Sequence, residues 1–254
     1  MSTSLCGRTI VVTGAGSGIG LGVLKAAQAA GATVVGIDYT EAAQEVIAGQ
    51  GAFAISADVR EPDALRAAIH EARDRTGRLD GVVNNAGLTL TAPFLEADVE
   101  MWDQLWLTNQ RSVLIGCQTA ARIMVKDQTR GSLVNIASVH ATASDHTYEA
   151  YAGTKGAIRA MGQSMAWSLG PHGIRVNTLS PGLTLTEAVA KAAKDPALDA
   201  LFQSWHADAT VPKVEELAQV AVFLLSDQSV VLNGTEIVAD KGTVARLCNV
   251  GDQS

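Results

Sequence analysis

Short apolar runs rich in Val and Ile alternate along the chain with longer stretches whose apolar positions recur at helical spacing. The short runs predict strands at Thr9–Thr13, Thr33–Asp38, Ala52–Ala57, Gly81–Asn84, Ser132–Ser138, Arg175–Ser180 and Glu236–Ala239. The longer stretches predict helices at Ile19–Ala30, Glu41–Ala48, Pro62–Thr76, Val99–Lys126, Glu149–Leu169 and Glu215–Leu225. Strands buried on both faces and joined by helices imply right-handed parallel crossovers. The pattern therefore predicts one α/β domain over residues 1–254, a doubly wound parallel sheet with helices on both faces.

Residues 183–211 have the weakest pattern in the chain. They mix charged residues with Trp205 and His206 and contain no clear strand. A long segment of this kind is often a lid over a binding site. We therefore predict a substrate-binding lid there.

Composition narrows the class of protein. The chain of 254 residues has a net charge of −7, and an acidic chain repels phosphate backbones, so we expect no nucleic-acid partner. No apolar run reaches the roughly 18–20 residues of a membrane span, and residues 1–8 do not have a signal-peptide pattern. The cysteines Cys6, Cys117 and Cys248 show neither metal nor disulfide spacing, so we expect no metal and a reducing compartment, the cytoplasm.

A glycine-rich turn, Thr13–Gly20, joins the first predicted strand to the first predicted helix. Glycine lets the backbone turn sharply and approach a pyrophosphate closely, and the helix N-terminus then offers free N–H groups. Its context, with a strand before it, a helix after it and an acid at the end of the second strand, is typical of a dinucleotide site.

Asp38 ends the second predicted strand and favours NAD as the cofactor. A carboxylate there can accept hydrogen bonds from both ribose hydroxyls of the adenosine, and it would repel a 2′-phosphate. Ser17, just before Gly18, offers no positive charge for that extra phosphate.

Tyr151 and Lys155 are four residues apart on a predicted helix and therefore share a face. A nearby ammonium would draw the pKa of a tyrosine down towards the working pH, so Tyr151 is a candidate general acid or base. Ser138, at the end of the fifth predicted strand, could hydrogen-bond a substrate oxygen on which negative charge develops.

Together these motifs resemble the short-chain dehydrogenase/reductase family along nearly the whole chain. The matching pieces are Thr13–Gly20, Asp58-Val59, Asn84-Asn85-Ala86-Gly87, Asn109, Ser138, the pair Tyr151 and Lys155, and Pro181-Gly182. The resemblance implies a single Rossmann-type domain with a seven-stranded parallel sheet, usually assembled as a homotetramer. It also implies an NAD-dependent alcohol dehydrogenase or ketone reductase in which Asn109, Ser138, Tyr151 and Lys155 are the catalytic residues.

The resemblance also implies cofactor contacts. Asp58 would bind the adenine edge with Val59 beside it, and Lys155 would hydrogen-bond the nicotinamide ribose. Asn109 would lie in a helix distortion and hold a water that relays protons from Lys155. The full set of implied cofactor residues is Gly14, Ser17, Gly18, Ile19, Asp38, Asp58, Val59, Asn85, Ala86, Gly87, Tyr151, Lys155, Pro181, Gly182, Thr184 and Thr186.

Three positions depart from the usual family pattern. Thr184 stands where Val or Ile is usual, which puts the local nicotinamide contact in doubt. Val211-Pro212-Lys213 has no Arg before the late helix. Ala239-Asp240-Lys241-Gly242 replaces Val-Asp-Gly-Gly, a change at a subunit interface or at the rim of the pocket.

Polar residues cluster where substrate should bind, after the fifth predicted strand. His140 and His146 are, with Ser138 and Tyr151, our candidate substrate-binding residues. Thr142, Ser144, Asp145 and Glu149 add to the polarity. Buried polar groups need hydrogen-bonding partners, so the cluster favours a sugar, a polyol or another polar hydroxy compound. A solvated cleft mouth would explain the same residues equally well.

Two other functions fit parts of the pattern. A 3-oxoacyl-thioester (acyl-carrier-protein) reductase shares the motifs, but Asp38 and the acidic balance count against it. A non-catalytic dinucleotide-binding sensor shares the fold, although such proteins often lose the tyrosine or the lysine that this chain keeps.

Overall fold

Seven parallel strands form a single sheet in the order β3-β2-β1-β4-β5-β6-β7. The computed structural model describes residues 4–246. The strands are β1 (Thr9–Thr13), β2 (Thr33–Asp38), β3 (Phe53–Ser56), β4 (Gly81–Asn84), β5 (Ser132–Ile136), β6 (Arg175–Pro181) and β7 (Glu236–Ala239). The sheet grows outwards in opposite directions from the β1–β4 pair, which makes that pair the switch point where ligands of such folds bind. The predicted fold class is confirmed.

The described residues form nine α-helices, and helices cover both faces of the sheet. They are α1 (Gly18–Ala29), α2 (Glu41–Gly49), α3 (Pro62–Thr76), α4 (Val99–Leu105), α5 (Ser112–Lys126), α6 (Glu149–Leu169), α7 (Glu187–Ala192), α8 (Pro196–Ser204) and α9 (Val214–Leu225). One apolar core joins the sheet to α3, α5 and α6, and a second joins it to α1 and α9. In this part of the chain no helix is both long and apolar enough to span a membrane.

The pattern of β1 shows why its residues form a central strand. Ile10 and Val12 belong to the α1–α9 core, whereas Val11 belongs to the core on the opposite face. Because successive strand residues point to opposite faces, a strand covered on both sides is a continuous apolar run. Each fully buried aliphatic side chain of this kind contributes about 1.5–3 kcal/mol to stability.

Helices α1 and α9 pack closely against each other. Val23, Leu24 and Ala27 form the buried stripe of α1. Gly22 lies against Val214, and a Cβ on Gly22 would come within 2.2 Å of the Val214 Cγ1 atom. The absence of a side chain at Gly22 therefore allows the first helix to contact the last.

The predicted helix Val99–Lys126 is interrupted by a π-helical segment, Trp106–Arg111. This wider turn contains Asn109, which is fully buried, and the Asn109 amide hydrogen-bonds the Leu88 backbone twice. A π-turn often marks a functional site, because it turns one residue away from the α-helical stripe. Helical periodicity alone does not reveal such a break.

Residues 183–211 contain two short helices, α7 and α8, that the pattern did not predict. Thr186 and Asp195 cap their N-termini. Neither helix has a fully buried residue, and α7 has only six residues, too few to show a helical period. In α8, Leu198, Leu201 and Phe202 do recur at helical spacing, a signal that the sequence analysis missed.

Candidate active site

Two adjoining cavities lie at the carboxyl ends of the central strands. The glycine-turn cavity, of about 470 Å³, is lined by the turn after β1 and by the ends of β2, β3 and β4. The tyrosine cavity, of about 420 Å³, is lined by residues after β5 and β6 and by Tyr151. Both cavities are lined by Ile19, Asn85, Gly87, Leu88, Thr89 and Thr186. The two therefore form one continuous cleft.

The structure brings nearly all of the predicted residues to this cleft. The glycine-turn cavity is lined by Gly14, Ser17, Gly18, Ile19, Asp38, Asp58, Val59, Asn85, Ala86, Gly87 and Thr186. The tyrosine cavity is lined by Ser138, His140, Tyr151, Lys155, Pro181, Gly182 and Thr184. Asn109 and His146 line neither cavity.

The glycine turn is held against the end of β4. Gly14 has a φ of +64°, and a Cβ there would lie 2.9 Å from the Ala86 Cα atom. The Asn85 side-chain amide donates to the carbonyls of Thr13 (3.0 Å) and Gly14 (3.1 Å). Gly18, with a φ of +50°, has only the Thr186 methyl within 4 Å of its Cβ position, at 3.5 Å. The turn is thus rigid and leaves open space above the first residue of α1.

Asp38 presents a fixed carboxylate at the end of β2. Its Oδ2 atom accepts from the Gly16 N–H at 3.0 Å, and its Oδ1 atom accepts from the Tyr39 N–H at 2.9 Å. These bonds leave lone pairs on a carboxylate that lines the cavity. The arrangement suits a diol that donates two hydrogen bonds.

Asp58 has a cationic partner that the sequence did not indicate. The Arg60 guanidinium donates to the Asp58 carboxylate from Nη2 at 2.6 Å, and this hydrogen bond lowers the pKa of Asp58. Arg60 also lies 6.0 Å from the centre of the Tyr39 ring. Val59, beside Asp58, is almost fully buried. This wall of the cavity therefore combines an ion pair with an aromatic ring.

The residues of the glycine-turn cavity fit a nicotinamide dinucleotide. The Thr108 hydroxyl lines the cavity, is buried, and has no hydrogen-bond partner among the described residues. Helix α1 has neither a side-chain cap nor an acidic residue in its first turn, so its positive end is free for a phosphate. Bound nicotinamide would supply or accept a hydride, and the open glycine turn and Asp38 would hold its pyrophosphate and ribose.

Tyr151 is the partly buried phenol that lines the tyrosine cavity. Its burial raises its pKa, while hydrogen bonds with Ser138 and Thr89 act in the opposite direction. The sequence predicted a lowering by Lys155, but the Lys155 Nζ atom lies 5.6 Å from the ring centre and desolvation dominates. Because its pKa is raised, Tyr151 is a protonated phenol, which is the form that can donate a proton.

Lys155 is buried on the same face of α6. Its Nζ atom donates to the Ile136 carbonyl at 3.0 Å, and burial lowers the pKa of Lys155 to about 8. Gly87 lies against this ammonium and against Asn109, since a Cβ there would be 3.6 Å from the Lys155 Nζ atom and 3.2 Å from the Asn109 Oδ1 atom. Lys155 is thus a cation that can lose its proton near neutral pH.

Asn109 contacts the cleft only through its neighbours. Its Oδ1 accepts from the Leu88 N–H at 2.7 Å, and its Nδ2 donates to the Leu88 carbonyl at 2.8 Å and to the Thr154 hydroxyl at 3.3 Å. The helix distortion implied for Asn109 is present. Its side chain fixes Leu88, which lines both cavities, so in this structure Asn109 positions the cleft wall.

His140 forms an aromatic cluster with two tyrosines. It stacks on Tyr148 with ring centres 4.4 Å apart and meets the Tyr151 ring edge-on at 5.6 Å. Burial lowers the pKa of His140, so it is neutral at pH 7. Tyr148 lines the tyrosine cavity and was missed from the sequence, where an aromatic residue beside a polar stretch carries no distinctive signal.

His146 does not reach the cleft. Its side chain is 86% exposed and pairs with Asp145 at 2.6 Å. The polar residues after β5 therefore divide, since His140 turns inwards and His146 faces solvent. The sequence-based assignment of His146 to the substrate site is not supported by its position, and we remove it from the candidate set.

The segment after β6 closes the far side of the tyrosine cavity. Thr184 is buried and donates to the Gly182 carbonyl at 3.0 Å, and Thr186 caps α7. The Trp205 ring, from residues 183–211, and Thr243, after β7, complete the lining. In residues 4–246 no group of His, Cys, Asp and Glu side chains is arranged to hold a metal.

The chain is similar to known oxidoreductases over nearly its full length. A family model described as enoyl-(acyl carrier protein) reductase matches residues 14–244. Carbonyl reductase [NADPH] 2 of Sus scrofa is 34% identical, covering 96% of this chain and 100% of that protein. L-xylulose reductase of Bos taurus is 32% identical with the same coverage of both chains. A gluconate 5-dehydrogenase from Burkholderia cenocepacia J2315, solved with NADP and tartrate, is 32% identical, with a TM-score of 0.89 and coverage of 96% and 98%.

Proposed function

The chain belongs to the short-chain dehydrogenase/reductase family, and from that premise we propose that it is an NAD-dependent dehydrogenase of a polar secondary alcohol. As a family member it is an oxidoreductase that acts on hydroxyl and carbonyl groups. The proposed substrate is a sugar, a polyol or another polar hydroxy compound, which is converted to the ketone or formed from it. The observation that carries this proposal is that Tyr151 and Ser138 line the same cavity, which is continuous with the glycine turn.

Tyr151 moves the proton in the proposed reaction. In ketone reduction the Tyr151 hydroxyl donates its proton to the substrate oxygen, and in alcohol oxidation the phenolate accepts it. Ser138, which lines the same cavity, donates to the same oxygen as negative charge develops on it. The two side chains thereby orient the carbonyl carbon towards the cofactor side of the cleft.

Lys155 and Asn109 support this proton transfer by Tyr151. We assign to the buried Lys155 ammonium the stabilisation of the Tyr151 phenolate and a hydrogen bond to the nicotinamide ribose. Asn109 keeps the wall at Leu88 in place and, in the proposed mechanism, holds a water that accepts protons from Lys155.

The preference for NAD rests on Asp38. Its fixed carboxylate would bind the ribose diol and repel a 2′-phosphate. Ser17 and Tyr39 offer no counter-charge, and the Arg60 guanidinium that lines the cavity is paired with Asp58. The carbonyl reductase relative is named for NADPH and the gluconate dehydrogenase structure holds NADP, so cofactor choice varies among relatives. The residue at position 38 is the feature of this chain that supports NAD.

Substrate polarity rests on the lining of the tyrosine cavity. Ser138, His140, Tyr148, Tyr151 and Thr89 bring hydroxyl and imidazole groups to one side of it. The names of two relatives, L-xylulose reductase and gluconate 5-dehydrogenase, support a sugar-derived compound. The Trp205 ring on the other side would pack against the carbon face of such a molecule.

The decisive experiment measures NADH formation with the purified chain across sugars, polyols, simple secondary alcohols and acyl thioesters, repeated with NADP. Strong turnover of one polyhydroxylated compound with NAD is the expected result. Turnover confined to hydrophobic alcohols would contradict the polar substrate, and turnover confined to acyl thioesters would support a reductase of lipid metabolism. Tight NADH binding without any turnover would favour a dinucleotide sensor.

We also propose that the chain is a cytoplasmic homotetramer. Leu114 and Val125 on α5 and Trp167 on α6 are exposed, and Trp167 is 87% exposed. Apolar residues of this size on neighbouring helices favour burial against another copy. Light scattering tests this assembly, and a monomer would contradict it.

A further inference from the structure

Among residues 4–246, four non-glycine residues have a positive φ, and two of them lie where the end of the 183–211 segment contacts the turn after β7. Ala209 has a φ of +53° and Lys241 a φ of +49°. Such conformations are costly for residues other than glycine and persist only when the surrounding contacts hold them. Contacts in this region must therefore offset the cost of these two left-handed conformations.

Lys241 provides those contacts. Its Nζ atom donates to the Thr210 hydroxyl at 2.7 Å and lies 3.5 Å from the carboxylates of Asp208 and Glu216. Its carbonyl accepts from the Ala207 N–H at 2.9 Å. We call these residues, Lys241, Ala207, Asp208, Thr210 and Glu216, the Lys241 junction. They tie three separate parts of the chain together, namely the end of the 183–211 segment, the start of α9 and the turn after β7.

The Lys241 junction lies beside the tyrosine cavity without lining it. Trp205, two residues before Ala207, and Thr243, two residues after Lys241, both line that cavity. Gly242 packs so closely that a Cβ there would lie 3.2 Å from the Ala207 Cβ atom. A movement at Lys241 would therefore be passed directly to Trp205.

We propose that Lys241 is a positioning residue that holds Trp205 over the tyrosine cavity and so sets the affinity for substrate. The inference rests on the proposed function, because Trp205 has a substrate to contact only if this cavity binds one. The Lys241 side chain is 25% exposed, so its ion pairs are partly screened by water. The segment is therefore held by all the contacts of the Lys241 junction together and not by one ion pair. Lys241 acts on binding and not on the proton transfer at Tyr151.

The test compares Lys241→Gly with Gln128→Gly. Like Lys241, Gln128 is a non-glycine residue in the left-handed region, with a φ of +54°, so glycine relieves backbone strain at both positions. Gln128, however, lies after α5 and lines neither cavity. We expect Lys241→Gly to raise KM for the active substrate about fivefold, with kcat changed less than about twofold. Gln128→Gly should change neither, and Lys241→Arg, which keeps the charge, should restore most of the affinity.

A second measurement does not depend on turnover. Limited proteolysis within residues 187–210 should be about fivefold faster in Lys241→Gly, and also faster in Thr210→Val, than in the native chain or in Gln128→Gly. Added salt should accelerate cleavage of the native chain towards the rate of Lys241→Gly, because it screens the ion pairs.

The outcomes separate the two proposals. Faster cleavage without turnover of any substrate would keep the role of Lys241 in holding the segment and contradict the proposed reaction. Unchanged cleavage and unchanged KM in Lys241→Gly would overturn this inference and leave the reaction intact. A fall in kcat with an unchanged KM would also overturn it, since that would place Lys241 in the chemistry.

Discussion

The glycine-turn cavity and the tyrosine cavity are similar in volume, about 470 and 420 Å³, yet they are built in different ways. The first is shaped by strand ends and by a turn that Asn85 and Ala86 fasten through backbone and side-chain hydrogen bonds. The second takes part of its wall from a short 3₁₀ turn, Val139–Ala141, and from residues 183–211, whose helices bury no residue. A wall on the sheet keeps its position, whereas a wall of surface segments can change without unfolding the core.

The largest expected effect is that of a substitution at Tyr151, which should impair the tyrosine cavity and leave the glycine-turn cavity working. Tyr151→Phe should lower kcat about a thousandfold, because it removes the proton donor of the tyrosine cavity. NADH binding, which uses the glycine-turn cavity, should stay within about twofold of the native value, because the ring remains in place. Stopped-flow turnover and NADH fluorescence titration measure the two effects.

Tyr148→Phe is the matched control for this change. This substitution also removes a phenolic hydroxyl, but from a ring whose centre lies 6.2 Å from that of the Tyr151 ring. We expect kcat to fall less than about fivefold. Equal losses in both variants would mean that the cavity needs its general polarity and not the Tyr151 proton.

Lys155, in the tyrosine cavity, should make stability depend on pH. Below about pH 8 its ammonium is charged in the folded and the unfolded chain alike, and burial of that charge costs stability. Between the folded pKa of about 8 and the ordinary value of 10.5, the unfolded chain holds more protons, so stability rises with pH. In that window the native chain should gain on the order of 3 kcal/mol relative to Lys155→Met.

Urea unfolding of both chains at a series of pH values measures this difference. A difference that stays constant across the window would show that the pKa of Lys155 is not lowered in the folded chain. A difference that falls with pH would reverse the sign and place a negative partner beside Lys155.

Asp38→Asn tests the glycine-turn cavity alone. The amide keeps the shape and one acceptor oxygen, but it no longer repels a 2′-phosphate. We expect the NAD-to-NADP ratio of kcat/KM to fall about tenfold, while KM for the alcohol stays the same. An unchanged cofactor ratio would remove Asp38 from the discrimination between NAD and NADP.

His140→Phe tests the tyrosine cavity alone and should have the smallest effect. Phenylalanine keeps the stacking on Tyr148 but loses the ring nitrogens, so KM for a polar substrate should rise about fivefold without a change in NADH affinity. His146→Ala, at the exposed position outside both cavities, is the control and should behave like the native chain. A larger effect from His146→Ala than from His140→Phe would reverse the assignment made from the structure.

The difference between the two cavities also explains which features could be predicted from the sequence. The seven strands and the residues of the glycine turn were predicted, because buried strands and phosphate-binding turns have strict local requirements for residue type. The predicted strand Ser132–Ser138 was two residues too long at its end, since Ser138 already begins the 3₁₀ turn and accepts from the His140 N–H at 3.2 Å. Such an end depends on tertiary contacts.

The substrate side could be read only in part. The inward position of His140 and the outward position of His146 follow from the turn between them, which polarity alone does not encode. The π-helical segment around Asn109 is set by the hydrogen bonds of that residue to Leu88, a contact 21 positions away in the chain. Helix α7 is too short to show a period, whereas α8 could have been predicted from the helical spacing of Leu198, Leu201 and Phe202.

The contact between α1 and α9 has a consequence for how the chain is made. A ribosome produces α1 early and α9 some 190 residues later, at a synthesis rate of about 5–20 residues per second. For roughly ten seconds or more, the apolar stripe of Val23, Leu24 and Ala27 therefore lacks its covering helix. During that interval the nascent chain exposes an apolar surface of the kind that favours aggregation before folding is complete.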